Sequence, residues 1–302
     1  MDITFSSHPF PELANKQGIT VPYVLASEES QVLDLIQEAD ARVICGATDW
    51  LAGSTGISRE ARLVDISRVA EFRGLSDHGD GLRVGSATTW SDIGAASLPV
   101  ALSGLRDAAS EIGSRQIQNR ATVGGNICNG SPAADGVVML LALDAYVELK
   151  SVYGARRLPL CRFLLGKNTV DLHAGEMLSS VWIPYPREHS ASAFCKFGIR
   201  QQLNIAVVSA AVSVNRIDSC NGLSCRIAAG SVAETPVRLR SLESLLSEVN
   251  RSVDLERIVE ECDLAEIRPI DDIRSSATHR RAVLDVLICR ALGLATGRLG
   301  DA

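Results

Sequence analysis

The segment Thr122 to Asp135 (TVGGNICNGSPAAD) is rich in glycine and asparagine and poor in large apolar side chains. Gly124 and Gly125 carry no Cβ, so successive backbone N–H groups before Asn126 can turn toward one point and let a ligand approach the main chain. Such a nest suits a phosphate or pyrophosphate. Downstream, Ser131 reads as the N-cap and Pro132 as the first position of a helix whose apolar body is Val137 to Leu141. That helix start adds a second anion-favouring end. The same residues also suit an ordinary turn, with Asp135 merely complementing the first helical turn; residue types alone leave both readings open. A second stretch has related chemistry. Arg42-Val43-Ile44-Cys45 reads as a short buried strand running into Gly46-Ala47-Thr48-Asp49, with a helix or a departure from the sheet beginning at Trp50. Strand, tight turn and helix together aim backbone donors at phosphate, although one glycine also fits a plain strand-to-helix turn.

The elements that must position these stretches follow from periodicity. Ser30 to Ala39 repeats apolar residues at helical spacing, whereas Arg62 to Ile66 and Gly81 to Ala87 alternate as strands around the polar turn 76–80. Helices are expected over Thr89 to Ala96, with Thr89 or Ser91 as cap, and over Val100 to Ile112. Strands are expected over 145–149, 157–160 and Met177 to Ile183. Two prolines and a polar run at Pro184 to His189 interrupt both periodicities and mark a boundary. Beyond it, strands at 193–198, 205–214 and 223–229 precede helices at 241–247, 255–265 and 277–292, the order of an α+β domain.

The 302 residues, 46% hydrophobic and 22% charged, suffice for two domains with a substantial core. The net charge of −6 and the lack of a basic run argue against nucleic acid or an anionic membrane as main partner. Met1-Asp2-Ile3-Thr4 does not open a secretory signal, and the apolar runs 137–143 and 205–214 are too short to cross a bilayer, so a cytoplasmic location is expected. The eight cysteines are scattered, Cys220 and Cys225 alone being near each other, and no Cys-x-x-Cys occurs. No metal held by this chain is expected. The histidines, His8 and His173 among them, form no constellation with Asp and Ser, and no catalytic acid or base is assigned.

Six ordered motifs carry a family resemblance: ICGATD (44–49), LRVGSATTWSDI (82–93), RQIQNRATVGGNICNGSPAAD (115–135), FCKFGIRQQLNIAVVSAAV (194–212), AAGSVAETPVRL (228–239) and IDDIRSSATHRRAVLDVLICRAL (270–292). Over nearly its full length the chain resembles the FAD-binding medium subunit of the molybdenum hydroxylases, the xanthine, carbon monoxide, nicotinate and aldehyde dehydrogenases. The resemblance implies an α+β fold: a PCMH-type FAD-binding region of two α/β subdomains over residues 1–186, split near 60, then a smaller domain over 190–302 with a three-stranded antiparallel sheet and a helical bundle. It implies FAD as cofactor, with Arg42 to Asp49 and Thr122 to Asn126 holding the pyrophosphate and ribityl chain through backbone amides.

It further implies that Asp135 binds the cofactor, that Leu178 lies beside the adenine-side pocket and Lys196 near the flavin ring, and that Ile112, Val123 and Ser131 belong to the same set. The implied partners are a molybdopterin-binding large subunit, a small subunit with two 2Fe-2S clusters, and NAD+ or another acceptor. A stand-alone FAD oxidoreductase and a flavin-free assembly subunit are the alternatives. Two positions depart from the family pattern. Ala47 stands where a second glycine is common, which costs about 1 kcal/mol if its φ is positive. Gln118 stands where the family has arginine.

Overall fold

The computed structural model describes residues 12–14, 20–53, 62–186, 189–199, 205–217, 222–248 and 255–300. The expected subdomain division near 60, His8, Cys220 and positions 187–188 of the boundary lie outside the described residues. The first part comprises β1 (Glu12–Ala14), β2 (Thr20–Leu25), α1 (Glu29–Leu35), β3 (Ala41–Ile44), α2 (Thr48–Gly53) and β4 (Arg62–Asp65), with sheet order β1-β2-β4-β3. β2 and β3 both run parallel to β4, which leaves β3 at the edge beside the first glycine turn. Leu63 and Val64 of β4 are fully buried, as parallel strands covered by helices require. Val32 and Ile36 pack onto Val64 with Ile66, Phe72 and Met177.

The second part opens with β5 (Leu75–Asp77), β6 (Gly81–Gly85) and α3 (Trp90–Ala95). A 3₁₀ turn at Val100–Leu102 then leads to α4 (Ser103–Glu111), α5 (Arg115–Gln118), α6 (Val123–Cys128) and α7 (Asp135–Ala142). After these come β7 (Tyr146–Ser151), β8 (Gly154–Pro159), α8 (Leu160–Phe163), β9 (Leu164–Gly166), β10 (Thr169–Val170) and β11 (Met177–Pro184). The five-stranded sheet has order β5-β6-β11-β7-β8 and is antiparallel throughout. β5 replaces part of the turn expected at 76–80. Every residue of α7 is buried, the pattern of a helix covered on all sides. It ends in a Schellman motif: the Ala145 N–H donates to Leu140 O (3.0 Å) and the Asp144 N–H to Leu141 O (3.1 Å), with Asp144 at φ 51°.

α7 starts at Asp135, not at Pro132 as the Ser-Pro pair suggests. Ser131 Oγ accepts from Ala133 N within a turn (3.3 Å), and Pro132 O accepts from Ser231 N (2.8 Å), so tertiary contacts hold the Ser-Pro segment out of the helix. The Gly124-Gly125-Asn126 stretch is likewise the first turn of α6 rather than an open nest.

The remainder contains β12 (Ser190–Phe197), β13 (Val208–Ile217), β14 (Gly222–Gly230), β15 (Val237–Arg238), α9 (Arg240–Glu248), α10 (Leu255–Glu261) and α11 (Ala277–Gly300). Three long antiparallel strands, as expected, carry the two-residue β15 as a short fourth. Small residues on both sides of this sheet are buried, Ala193, Ala210, Ala211, Ala228 and Ala229 among them. α4 and α7 cover one face while α9 and α11 cover the other, so large side chains would hold the layers apart. Phe194, Ala211 and Ala228 join the core of the five-stranded sheet. Arg298 of α11 fastens the layers by donating to Asp107 (2.7 Å) and to Ser192 O (2.6 Å).

Candidate functional site

Two threonine caps define one wall. Thr89 and Asp92 form a reciprocal capping box at the start of α3, and Thr122 Oγ1 accepts from Gly125 N (3.2 Å) at the start of α6. The two caps bridge each other, Val123 N donates to Thr88 O (2.9 Å) and Gly124 N to Ser86 O (2.8 Å). This pairing explains Gly124: a Cβ there would lie 2.7 Å from Ser86 Cβ and 2.8 Å from its carbonyl oxygen. Close approach, not a left-handed φ, is what demands the glycine.

The opposite wall is β3, its turn and α2. Gly46 packs against the chain just before Thr122, where a Cβ would fall 1.9 Å from Arg120 O. Ala47 adopts φ 55°, the left-handed conformation that L-residues avoid. Among the described residues, the amides of Gly46 and Ala47 have no acceptor. The first turn of α2 adds N–H groups without intrahelical partners. The amides of Val123, Gly124, Gly125 and Asn126 are instead engaged within the fold, that of Asn126 to Thr122 O (3.0 Å). Among the described residues, unengaged anion-binding amides therefore sit in the first glycine turn rather than in the second.

Between the walls lie two adjoining clefts. One, of about 860 Å³, is lined by residues that include Val43 to Asp49, Ile112, Thr122, Gly125, Asn126, Ser131 and Asp135. The other, of about 380 Å³, includes Arg42 to Cys45, Thr122, Gly124, Gly125 and Leu178. They share Val43, Ile44, Cys45, Thr122, Gly125 and Cys128, so they meet over the start of α6. Val123 and Lys196 line neither. Val123 is buried in the core, and Lys196 lies behind Asp135, its Nζ 2.6 Å from Asp135 Oδ2 and 2.9 Å from Glu111 O. Burial raises the Asp135 carboxyl to about 6 against the opposing pull of Lys196, and Oδ1 of Asp135 has no hydrogen-bond partner. Burial also pushes the cleft thiols up, Cys45 to about 11 and Cys128 to about 12, so neither is a thiolate at neutral pH.

Residues 16–186 match the model of the FAD binding domain in molybdopterin dehydrogenase, and residues 192–295 that of the CO dehydrogenase flavoprotein C-terminal domain. The chain belongs to the FAD-binding medium subunits of these molybdenum enzymes. The xanthine dehydrogenase FAD-binding subunit of Escherichia coli O157:H7 is 33% identical over 273 residues, covering 88% of this chain and 93% of that one. The carbon monoxide dehydrogenase medium chain of Hydrogenophaga pseudoflava is 27% identical, covering 86% and 91% respectively. The structure of carbon monoxide dehydrogenase from that organism, in the form lacking the Mo-pyranopterin moiety, superposes with TM-score 0.84 at 26% identity, covering 92% of this chain and 98% of the other.

FAD is the cofactor of this medium-subunit family, and the clefts suit it. An elongated dinucleotide needs an anion-favouring middle, which the first-turn amides, without acceptors among the described residues, supply, and flanking room for two ring systems, which the two clefts supply. The orphaned buried side-chain oxygens of Asn126 and Asp135 offer acceptors to a polar ligand in the larger cleft. Sequence reasoning missed the segment Leu172 to Glu176, which walls the smaller cleft and includes His173. Its signal was Gly175 before β11, at φ 76° with its carbonyl taken by Gln37 Nε2 (3.3 Å). Gly113, at φ 52° after α4, similarly marked the 112–114 rim of the larger cleft. Among the described residues no helix is long and apolar enough to cross a membrane and no metal-binding cluster occurs.

Proposed function

We propose that this medium subunit holds FAD across the two clefts and relays electrons from iron–sulfur centres on a partner subunit to NAD+ or another acceptor. Substrate oxidation would take place on a molybdopterin-binding large subunit, with a small subunit carrying two 2Fe-2S clusters between them. A flavin accepts electrons singly and releases them as a pair, the chemistry such a junction needs. The amides of the first glycine turn carry this reading, because they are half-buried donors facing the larger cleft that have no acceptor among the described residues. Within it, Gly46 to Asp49 bind the pyrophosphate and Thr122 to Asn126 form the wall against which it is pressed. Leu178 borders the adenine-side cleft. Asp135 presents its unpartnered oxygen at the rim of the larger cleft, and Lys196, fixed on Asp135 and Glu111 O, holds that carboxyl in place.

The reading also keeps residues 1–186 and 190–302 as the two functional regions, and a cytoplasmic location. Rapid mixing of the substrate-reduced complex with NAD+ tests the relay: reoxidation within the turnover time supports NAD+ as acceptor. A complex that reoxidises only with other acceptors removes NAD+ from the scheme, and a flavin that substrate never reduces removes the relay.

A further inference from the structure

We infer that the arginine-lined cleft at the C-terminal end of α7 is a docking site for an acidic segment of a partner subunit, an inference that rests on the heteromeric reading above. The cofactor clefts lie at the start of α7, where Asp135 is. At the other end, about 12 Å along an eight-residue helix, opens a third cleft of about 1320 Å³. Five elements bring arginines to it: Arg162 from α8, Arg216 from β13, Arg226 from β14, Arg238 from β15 and Arg240 from the start of α9. Asp144 is the one carboxylate among the described lining residues.

Two of these guanidiniums are structural. Arg226 Nε lies 2.5 Å from Asp144 Oδ2, and Arg238 binds the other oxygen of Asp144 while gripping Glu243 through two bonds of 2.7 and 2.8 Å. Arg238 also donates to Leu141 O (3.3 Å), a further donor to a last-turn carbonyl of α7 at the helix end that favours cations. Arg162, Arg216 and Arg240 are different. All three are exposed and have no carboxylate partner among the described residues. Collecting them on a chain whose formal charge is −6 opposes the overall balance and raises mutual repulsion.

The chemistry points to carboxylates on a protein. Among the described residues no lysine lines the cleft, so its described cations are forked guanidiniums that are weakly hydrated and match carboxylates in pairs. Tyr146, Tyr185 and three prolines are also in the lining, and Tyr and Arg are both enriched at protein interfaces. The volume also exceeds the roughly 300–1,000 Å³ of small-molecule pockets. Charge complementarity therefore selects an Asp/Glu-rich surface or strand.

The test uses the complete complex purified with its partner subunits. A photo-crosslinker placed at Arg216 is expected to capture an Asp/Glu-rich peptide of a partner subunit. The Arg162→Glu/Arg216→Glu/Arg240→Glu variant is expected to weaken subunit association about 100-fold, as reversal of close interfacial charges does. FAD content should stay unchanged, because none of the three residues lines a cofactor cleft. The matching triple Arg→Lys variant should retain most of the association, and Arg106→Glu, an exposed arginine on α4, should change it little. Association unaltered in the Glu variant, or crosslinks confined to this chain, overturns the inference while leaving the heteromeric reading intact. Binding of inorganic triphosphate that the Glu variant alone loses, with association unchanged, overturns it in favour of a small-anion site. Failure of the wild-type chain to join any complex overturns both.

Discussion

Gly46→Ala is a small change with a large geometric consequence. The added Cβ would sit 1.9 Å from Arg120 O and 2.6 Å from its carbonyl carbon. Both are backbone atoms, and the following residues, Ala121 and Thr122, are held by Trp90 N donating to Ala121 O (3.1 Å) and by the bridge to Thr89. No flexible side chain can yield, so the turn after β3 must move away from the wall that α6 begins. Overpacking of this kind costs about 1–3 kcal/mol. The loss divides between stability of the apo chain and affinity for FAD, because a chain that relieves the clash by opening loses the alignment of the Gly46 and Ala47 amides. Charged wholly to binding, it corresponds to a rise in Kd of roughly 5–150-fold. Flavin fluorescence titration gives the affinity, and denaturant unfolding of the apo chain gives the stability. Gly125→Ala is the control: its Cβ would meet only Thr122 Oγ1, at 3.0 Å, and the expected loss is limited to a weakened cap of about 1 kcal/mol. If Gly46→Ala leaves both stability and Kd as in the wild type, the packing of the two walls is wrong.

Ala47→Gly should be neutral to stabilising by up to about 1 kcal/mol, since release from φ 55° outweighs the added freedom of the unfolded chain; a clear loss on denaturant unfolding would contradict the left-handed turn. Lys196→Met strands a buried carboxylate and should destabilise by about 3–5 kcal/mol, with Asp135→Asn added to it recovering much of the loss in a double-mutant cycle. Asp135 also gives a pH signature. Its carboxyl titrates near 6 in the fold and near 4 when unfolded, so the native state binds the extra proton between those values. Its contribution is fully present below about pH 4 and is lost as pH rises through about 6. The stability difference between wild type and Asp135→Asn should therefore shift against the wild type across that window, and a flat difference would refute the assignment.

Local chemistry was legible where a residue's partner is near in sequence. The Thr89 cap and its Asp92 reciprocal lie three residues apart, and the spacing of 177–183 returned β11 almost to the residue. The expected site residues other than Val123 and Lys196 fall together along the two clefts, which is how far the sequence placed them. What did not read through was mechanism at a distance. Gly124 looked like half of a nest, yet its role is set by Ser86, thirty-eight positions earlier in the chain. Lys196, matched by the resemblance to a position near the flavin ring, bonds Asp135 and Glu111 O from two helices packed on its sheet, partners that its local sequence does not announce. Pro132 looked like a helix start because nothing local reveals that Ser231 N takes its carbonyl. β5 is three residues long and exposed at its end, too short for alternation to register.

The most direct test of the account is the flavin itself. The chain, purified with its partner subunits and gel-filtered, should show the visible spectrum of a bound flavin, and acid release should yield about one FAD per chain. A folded complex that carries no FAD, and takes up none when FAD is supplied, would contradict the central claim.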